Sequence, residues 1–254
     1  MHLGKYRQKG NGLYILSKNE IDEIAMDILT SHAPYAVKFP QSVDITQLAT
    51  EGFYLDISHR YLRPDGKLLG MIALLDVKDC KLIDLDYQEL SIDLSAGSVL
   101  IDTSLIDSMF NGRHRFTEAH ELAHWILHRS FVDPNNRQYE YRKANIPLIA
   151  CREENIEQNR KHTYKWDDLD WMEWQADNLA AAILMPKEMF IEAFKSAMLD
   201  HGFGIQNYLI KDKDITRSKS VIKELSNVFQ VSNRAIQLRL LRYDLIRTND
   251  NRYY

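Results

Sequence analysis

The sequence has little cysteine, no long apolar run and no dominant charge. Cys80 and Cys151 are its two cysteines and lack CxxC spacing, which argues against a disulfide-stapled secreted scaffold. No apolar stretch reaches the roughly 18–20 residues that a membrane helix needs. The N-terminal stretch MHLGKYRQKGNG is not followed by the apolar run of a signal peptide. We therefore expect a cytoplasmic protein without a membrane-spanning segment.

The charges are numerous but balanced. Lys and Arg together number 32 and Asp and Glu 36, so the formal net charge is −4. This balance provides no overall basic field that would hold the protein to nucleic acid. Hydrophobic residues make up 45% of the chain and aromatic residues 10%, which is enough for a sizeable buried core and is unlike a disordered chain.

The first hundred residues combine two helical patterns with several strand patterns. Ser17 and Glu20 form a capping-box pattern ahead of apolar residues at helical spacing, which predicts a helix over 17–30. Asp44 begins a second, shorter helix, DITQLATE. Short apolar or alternating runs separated by Gly and Asp predict a small sheet between about 53 and 103, with strands in FYLDIS, KLLGMIALLD, CKLIDLDY and GSVLIDTSL.

The second half of the chain is mostly helical in pattern. A helix over about 113–128 is followed by a polar stretch, 131–165, which we interpret as a lid or a partly helical insertion. Helical spacing returns in DWMEWQADNLAAAILMP, which Pro186 ends, and a further helix, KEMFIEAFKSAM, has Pro186 at its first position. Residues 218–246 are predicted to form a helix, a tight turn and a second helix with Ser232 as its N-cap.

HELAH lies inside the helix predicted over 113–128. Residues four apart share one face of a helix, about 6 Å apart along its axis, so the imidazoles of His120 and His124 can converge on one Zn²⁺. A glutamate directly after the first histidine lies near the attacking water without ligating the metal. The spacing predicts His120 and His124 as metal ligands and Glu121 as general base, although so short a pattern also arises by chance.

A third ligand distinguishes the classes of zinc hydrolase that carry this motif. Metzincins have Gly at the position of Leu127 and His at that of Ser130, so this class is excluded. The segment from Glu173 to Asp177, EWQAD, offers a glutamate ligand on a later helix. One turn further, its aspartate can accept a hydrogen bond from a ligand imidazole. The alternative is an exposed acidic pair, but the neighbouring residues are aromatic and apolar.

RFTEAHELAHWILH and EWQADNLAAAILMP together resemble the ImmA/IrrE family of zinc metallopeptidases. VDITQLATEGFYLDI, LLGMIAL and GSVLIDTSL resemble the helix and strands that precede the active-site helix of that family. The resemblance covers about residues 18–190, with a family-like helical tail beyond. Ala123 stands where the family usually has Gly, and Asp177 where it often has Asn. By position, the resemblance implies His120, His124 and Glu173 as zinc ligands and Glu121 as the catalytic acid/base.

The patterns and the resemblance imply an architecture. We expect an α+β fold with a zincin-like metallopeptidase core, in which a small sheet packs on the active-site helices, and a C-terminal helix-turn-helix-like segment. The expected organisation is an N-terminal extension over 1–16, the metallopeptidase domain over 17–200 and the helical C-terminal segment over 201–254.

The resemblance also implies a function. Members of the family are cytoplasmic regulatory proteases tied to mobile elements or stress responses, and the implied substrate is a helix-turn-helix transcriptional repressor, cut at a limited site. The chain is then a zinc-dependent endopeptidase. The motifs do not identify the residue that stabilises the oxyanion, for which the candidates are Tyr139, Tyr141, His162 and Tyr164.

The C-terminal segment supports a rival interpretation. LSNVFQVSNRAIQLRLLRYDLI resembles a helix-turn-helix, with Arg234, Gln237, Arg239 and Arg242 on its second helix. The protein is then a DNA-binding or antitoxin-like regulator in which zinc is structural and no peptide is cut. Acidic residues dilute this segment, however, whereas DNA-binding surfaces cluster their phosphate contacts. These helices are otherwise explained by packing on the protease core or by recognition of a repressor.

Two further residues have roles that the sequence leaves open. His128 lies one turn beyond His124 and is either a fourth metal ligand or a supporting residue. Cys151 lies between the two predicted metal-binding helices and either caps the zinc as a thiolate or is a buried thiol.

Overall fold

The fold is that of a computed structural model of the chain. The model describes residues 3–63, 65–84, 86–107, 111–132, 148–152, 166–203, 208–210 and 215–247, with the backbone alone for 150–152 and 210. Within these ranges, none of the helices combines the length and the apolar character needed to cross a membrane.

Helices and strands alternate in the first half of the described chain, and helices dominate the second. The helices are α1 (Lys18–His32), α2 (Ile45–Gln47), α3 (Asn111–Val132), α4 (Asp168–Leu184), α5 (Lys187–Asp200), α6 (Ile215–Phe229) and α7 (Asn233–Arg242). The strands are β1 (Asp56–Arg60), β2 (Leu68–Ala73), β3 (Val77–Ile83), β4 (Glu89–Leu94), β5 (Ser98–Asp102), β6 (Leu148–Arg152), β7 (Leu209–Ile210) and β8 (Ile246–Arg247). The expected mixture of α and β structure is confirmed.

The predicted helix starts in the N-terminal part are confirmed. The Ser17 hydroxyl accepts the backbone N–H of Glu20, and the Glu20 carboxylate accepts the backbone N–H of Ser17 at 2.7 Å. The Asp44 carboxylate caps α2 in the same way by accepting the N–H of Gln47. This second helix is shorter than predicted, because a π-helical turn over Leu48–Gly52 follows it.

Four strands form the main sheet, in the order β1-β5-β2-β6. Strand β1 pairs parallel with β5, and β2 pairs antiparallel with both β5 and β6. FYLDIS, KLLGMIALLD, CKLIDLDY and GSVLIDTSL each contain or overlap a strand, but β4, β6, β7 and β8 were not predicted. The last predicted helix ends at Arg242 instead of 246, where β8 begins. Strand β6 lies inside the stretch interpreted as a lid or a helical insertion, so that interpretation is wrong for residues 148–152.

Strand β2 is buried on both faces because a layer lies on each side of the sheet. Side chains such as Leu69 and Ile72 belong to the large core shared with the helices. Met71 and Leu100 of the main sheet pack instead in a smaller cluster with residues of the β3–β4 hairpin, including buried Cys80. The main sheet is thus held between the helices and the hairpin.

Helix α3 packs against the sheet and against α4, and α4 packs in addition against α1. Both have small, fully buried side chains, including Ala119 and Ala123 on α3 and Ala176 and Ala180 on α4, and small residues let two helix backbones approach closely. Helix α4 begins with a capping box between Asp167 and Asp170. Pro186 was predicted as the first helical residue of α5. It is instead the N-cap of that helix.

The two C-terminal helices pack on the same core. Helices α6 and α7 are joined by a short turn, and the predicted N-cap Ser232 accepts the backbone N–H of Ala235. Arg115 of α3 donates to the carbonyl oxygen of Gln230 in that turn. Buried residues such as Phe229 and Ile236 belong to the core cluster that also contains residues from α1, α3 and α4. The predicted boundaries at 16/17 and 200/201 stay predictions.

Candidate metal centre

Three side chains from two helices converge at the centre of the protein. His120 and His124 lie on consecutive turns of α3 and are fully buried, and Glu173 of α4 faces them. The His120 and His124 Nε2 atoms are 2.9 Å apart, and the Glu173 carboxylate lies 3.6 Å from His120 Nε2 and 3.3 Å from His124 Nε2. The structure thus brings together the three predicted ligands.

The protonation of the two imidazoles makes this group suited to a cation. The Nδ1 atom of His120 lies 2.9 Å from Asp177 Oδ1, although the two atoms do not meet the geometry of a hydrogen bond. A negative charge this close favours a proton on Nδ1, which would leave a lone pair on Nε2. With the same proton position in His124, two lone pairs face each other and repel unless a cation lies between them. Around a tetrahedral zinc with bonds of about 2.0–2.1 Å, ligand atoms lie about 3.3–3.4 Å apart. The observed separations of 2.9–3.6 Å bracket this value, so the residues fit zinc.

The charges around the ligands support the same conclusion. Burial alone would raise the pKa of Glu173, but hydrogen bonds and charge interactions with His120 and His124 hold this pKa well below its usual range. Burial lowers the pKa of His120, but Asp177 and Glu173 outweigh it and raise that pKa well above its ordinary value. The two carboxylates therefore stabilise positive charge at His120, whereas burial lowers the pKa of His124. A site with this negative charge suits a divalent cation.

Glu121 is a fully buried carboxylate next to the ligands. Neither of its oxygens has a hydrogen-bond partner among the described residues. Burial raises its pKa to about 8, with the nearby Glu173 adding to the effect and His120 opposing it. Buried polar groups in folded proteins are normally paired, and a strongly shifted carboxyl group in such a position is typical of functional sites. A cation at the ligands would favour its ionised form, which a general base requires.

Gly70 of β2 lies directly over Glu121 and was not identified from the sequence. A Cβ atom at Gly70 would lie 2.6 Å from the Thr117 methyl group and 3.1 Å from Glu121 Oε1. The pairing of β2 with β6 shifts register between Leu68 and Gly70, and such irregularities reorient side chains locally. The sheet therefore approaches the Glu121 carboxylate as closely as a glycine allows.

Substituting Gly70 by alanine is expected to destabilise the protein by about 1–3 kcal/mol, because the new methyl group overpacks the site. Equilibrium unfolding in denaturant measures this change. Gly10→Ala is the matched control, because nothing lies within 4 Å of a Cβ at that position. Combining Gly70→Ala with Thr117→Ser removes the closest methyl group and should recover part of the loss. Equal stability of Gly70→Ala and the wild type would contradict the close approach.

The remaining predicted site residues divide into two groups. His128 is fully buried, and its Nδ1 lies 3.0 Å from His124 Nδ1, on the side of that ring turned away from Glu173. His128 therefore lies behind His124 and outside the group of three candidate ligands. The backbone of Cys151 pairs with Gly70, but its thiol lies outside the described part of the structure. So do the four oxyanion candidates, Tyr139, Tyr141, His162 and Tyr164.

Two of the basic residues on which the DNA-binding interpretation depends form ion pairs within the protein. The Arg239 side chain is 5% exposed and donates to Asp22 Oδ1 at 3.0 Å and to the carbonyl oxygen of Met185. Arg242 lies 3.2 Å from Asp22 Oδ2. On the same helix, Arg234 is exposed. This ion-pair cluster fastens α7 to α1 and to the end of α4.

We expect Arg239→Met to lower the free energy of unfolding by about 3 kcal/mol, the lower end of the cost of breaking a buried ion pair. The loss is limited because Arg242 and the Tyr243 hydroxyl still contact Asp22. Denaturant titration gives the value. The control Arg234→Met, on the exposed face of the same helix, should change stability by less than about 0.5 kcal/mol. Similar values for both variants would show that the Asp22 cluster does not hold α7.

The arrangement of the site residues is typical of one class of metal centre. Two histidines one turn apart on a helix, a glutamate from a facing helix and a buried carboxylate beside the first histidine form a centre of the metallohydrolase type. The described part of the chain thus offers three protein ligands.

Comparison with protein families agrees with this class. A family model described as the IrrE N-terminal-like domain, Peptidase_M78, matches residues 146–241. The matched range covers less than half of the chain and begins after HELAH. It includes α4 with Glu173, α6, and α7 except for its last residue. The match confirms the resemblance to the ImmA/IrrE family and indicates a peptidase. No curated protein matches the chain.

Proposed function

We propose that this chain is a cytoplasmic zinc-dependent endopeptidase that makes a site-specific cut in a helix-turn-helix transcriptional repressor. The observation that carries the catalytic part is the convergence of His120, His124 and Glu173 beside the unpaired carboxylate of Glu121. The substrate class follows from the resemblance to the ImmA/IrrE family, which the family match supports.

The proposed mechanism assigns the metal to His120, His124 and Glu173. Zinc held there would supply a lowered pKa for the attacking water and polarisation of the scissile carbonyl group. Glu121 accepts one proton from the attacking water, whose oxygen forms the new bond to the carbonyl carbon. As the carbon–nitrogen bond breaks, Glu121 delivers that proton to the leaving amine. The Asp177 carboxylate, 2.9 Å from His120 Nδ1, would favour a proton on that nitrogen and so leave Nε2 free for the metal.

The second candidate function is a DNA-binding or antitoxin-like regulator with a structural zinc. Structural zinc sites are generally closed by four protein ligands, whereas catalytic sites leave one position open. The described residues provide three ligands, and a structural site has no use for a buried carboxylate without a partner. The burial of Arg239 also removes one of the cations on which DNA contact would depend. We therefore favour the peptidase.

Co-expression with a candidate helix-turn-helix repressor, together with a reporter under the operator of that repressor, distinguishes the two functions. The wild type should produce a shortened repressor, seen by immunoblot, and should release expression of a reporter under that operator. With Glu121→Gln, both effects should disappear. Release of the reporter by Glu121→Gln without a shortened repressor would contradict the peptidase and favour action by binding alone.

A further inference from the structure

A row of buried hydrogen bonds leads from His124 to the N-terminal segment of the chain. His124 Nδ1 and His128 Nδ1 are 3.0 Å apart, and His128 Nε2 lies 3.0 Å from Gln175 Oε1. The Gln175 amide nitrogen in turn donates to the backbone carbonyl oxygen of Tyr14 at 2.6 Å. The side chains of His124, His128 and Gln175 are all fully buried.

The chemistry of the groups fixes the direction of every hydrogen bond. A carbonyl oxygen only accepts, so the Gln175 NH₂ group faces Tyr14 and the Gln175 oxygen faces His128. That oxygen also only accepts, so His128 carries its proton on Nε2. A neutral His128 then offers a lone pair at Nδ1, which accepts the Nδ1 proton of His124. The lone pair of His124 is left on Nε2, the atom that faces Glu173 and His120.

We propose that Gln175 positions His124 for metal binding through His128, and that the carbonyl oxygen of Tyr14 holds Gln175 in the orientation this requires. The inference rests on the proposed metal site but not on peptide cleavage. Gln175 and His128 are positioning residues in this arrangement. They set the tautomer and the ring orientation of a ligand without touching the metal.

The N-terminal segment is held firmly enough for this role. Leu13 and Leu16, on either side of Tyr14, are buried in the main core. Lys9 forms an ion pair with Asp168 at the start of α4, with 2.8 Å between Nζ and Oδ1, and Asn11 donates to the same carboxylate. The segment predicted as an N-terminal extension therefore packs along the helix that carries Glu173 and Gln175. These contacts hold the Tyr14 carbonyl oxygen in a fixed position relative to Gln175.

The two ligand histidines are supported differently. His120 faces the carboxylate of Asp177, which is partly exposed. His124 faces His128, and His128 in turn contacts Gln175. A second carboxylate behind His124 would lie in a fully buried position, where an ionised group is costly. His128 and Gln175, which together we call the relay, are neutral. They provide the same tautomer without burying another charge.

Zinc affinity, measured by competition with a chromophoric chelator, tests the relay without reading activity. Gln175→Met keeps the length of the side chain but removes both the acceptor and the donor, and it should weaken zinc binding about 10–100-fold. Leu225→Ala is the control, because it removes a fully buried side chain from α6, a helix that packs on α5 and α7, and so destabilises the fold at another place. Its zinc affinity should equal that of the wild type. An unchanged affinity in Gln175→Met, or an equal loss in both variants, would overturn the proposal.

Imidazole ¹⁵N chemical shifts of the wild type provide a measurement that does not depend on any variant folding. In both the zinc-loaded and the metal-free protein, we expect His128 to carry its proton on Nε2 and His124 on Nδ1. A proton on Nδ1 of His128 contradicts the relay. Zinc binding with these tautomers but without cleavage of any repressor would leave the relay standing and overturn the proposed function alone.

Discussion

Replacing Glu173 by glutamine is expected to weaken zinc binding by more than the roughly 10–100-fold that the loss of an outer hydrogen-bond partner costs. The substitution keeps the shape of the side chain but removes the negative charge that faces His120 and His124 at 3.6 and 3.3 Å. Metal content after dialysis and chelator competition measure the loss. Because bound zinc stabilises the fold by mass action, each 100-fold loss of affinity also removes about 2.7 kcal/mol of that stabilisation.

Two further variants make this result specific. Asp177→Ala removes the carboxylate that faces His120 Nδ1 but no ligand, so it should fall in the range of about 10–100-fold. Glu192→Gln neutralises an exposed glutamate on α5 and should leave zinc affinity unchanged. A Glu173→Gln protein that retains zinc as tightly as Glu192→Gln would show that Glu173 is not a ligand.

Glu121→Gln is expected to retain zinc and to lose about 10²–10⁴-fold in the rate of peptide cleavage, which is the usual contribution of a general base. The variant keeps the size of the side chain but cannot accept the proton of the attacking water. Single-turnover cleavage of a substrate, with zinc content measured on the same sample, separates the two effects. A loss of zinc in parallel with activity would assign Glu121 to metal binding instead.

Glu118 provides a matched control for Glu121 on the same helix. It is also buried and its pKa is also raised by burial, but its carboxylate accepts hydrogen bonds from the Thr46 hydroxyl. Glu118→Gln can still accept from Thr46, so we expect cleavage within a few-fold of the wild type. A loss in Glu118→Gln as large as that in Glu121→Gln would mean that neutralising any buried carboxylate of α3 disrupts the site.

Several elements of the fold could be predicted because their signals are local. The capping box of Ser17 and the N-caps of Asp44 and Ser232 each depend on a residue three positions away. Strand β6 could not be predicted, because it lies in a polar stretch and is defined by its pairing with β2. The strand β4, ELSIDL, forms a hairpin with β3 and could have been predicted, because Leu90, Ile92 and Leu94 alternate with polar residues.

The same distinction applies to the site. His120, Glu121 and His124 could be found because helical geometry places them together, and EWQAD because its two acidic residues are one turn apart. Gly70 and Gln175 could not be predicted as site residues, because their roles depend on contacts made after folding. Gly70 lies against the Glu121 carboxylate, and Gln175 donates to the distant carbonyl oxygen of Tyr14. The role of His128 was left open for the same reason, because a helical pattern gives its face but not its partner on α4.

The most direct test of the peptidase is mass spectrometry of a purified helix-turn-helix repressor incubated with the zinc-loaded chain. The account predicts two fragments whose masses sum to that of the repressor plus one water, from a cut at one position. Their formation should stop after treatment with a chelator, return when zinc is added back and be absent with Glu121→Gln. Fragments that form equally with Glu121→Gln, or an intact repressor in the presence of a zinc-loaded wild type, would contradict it.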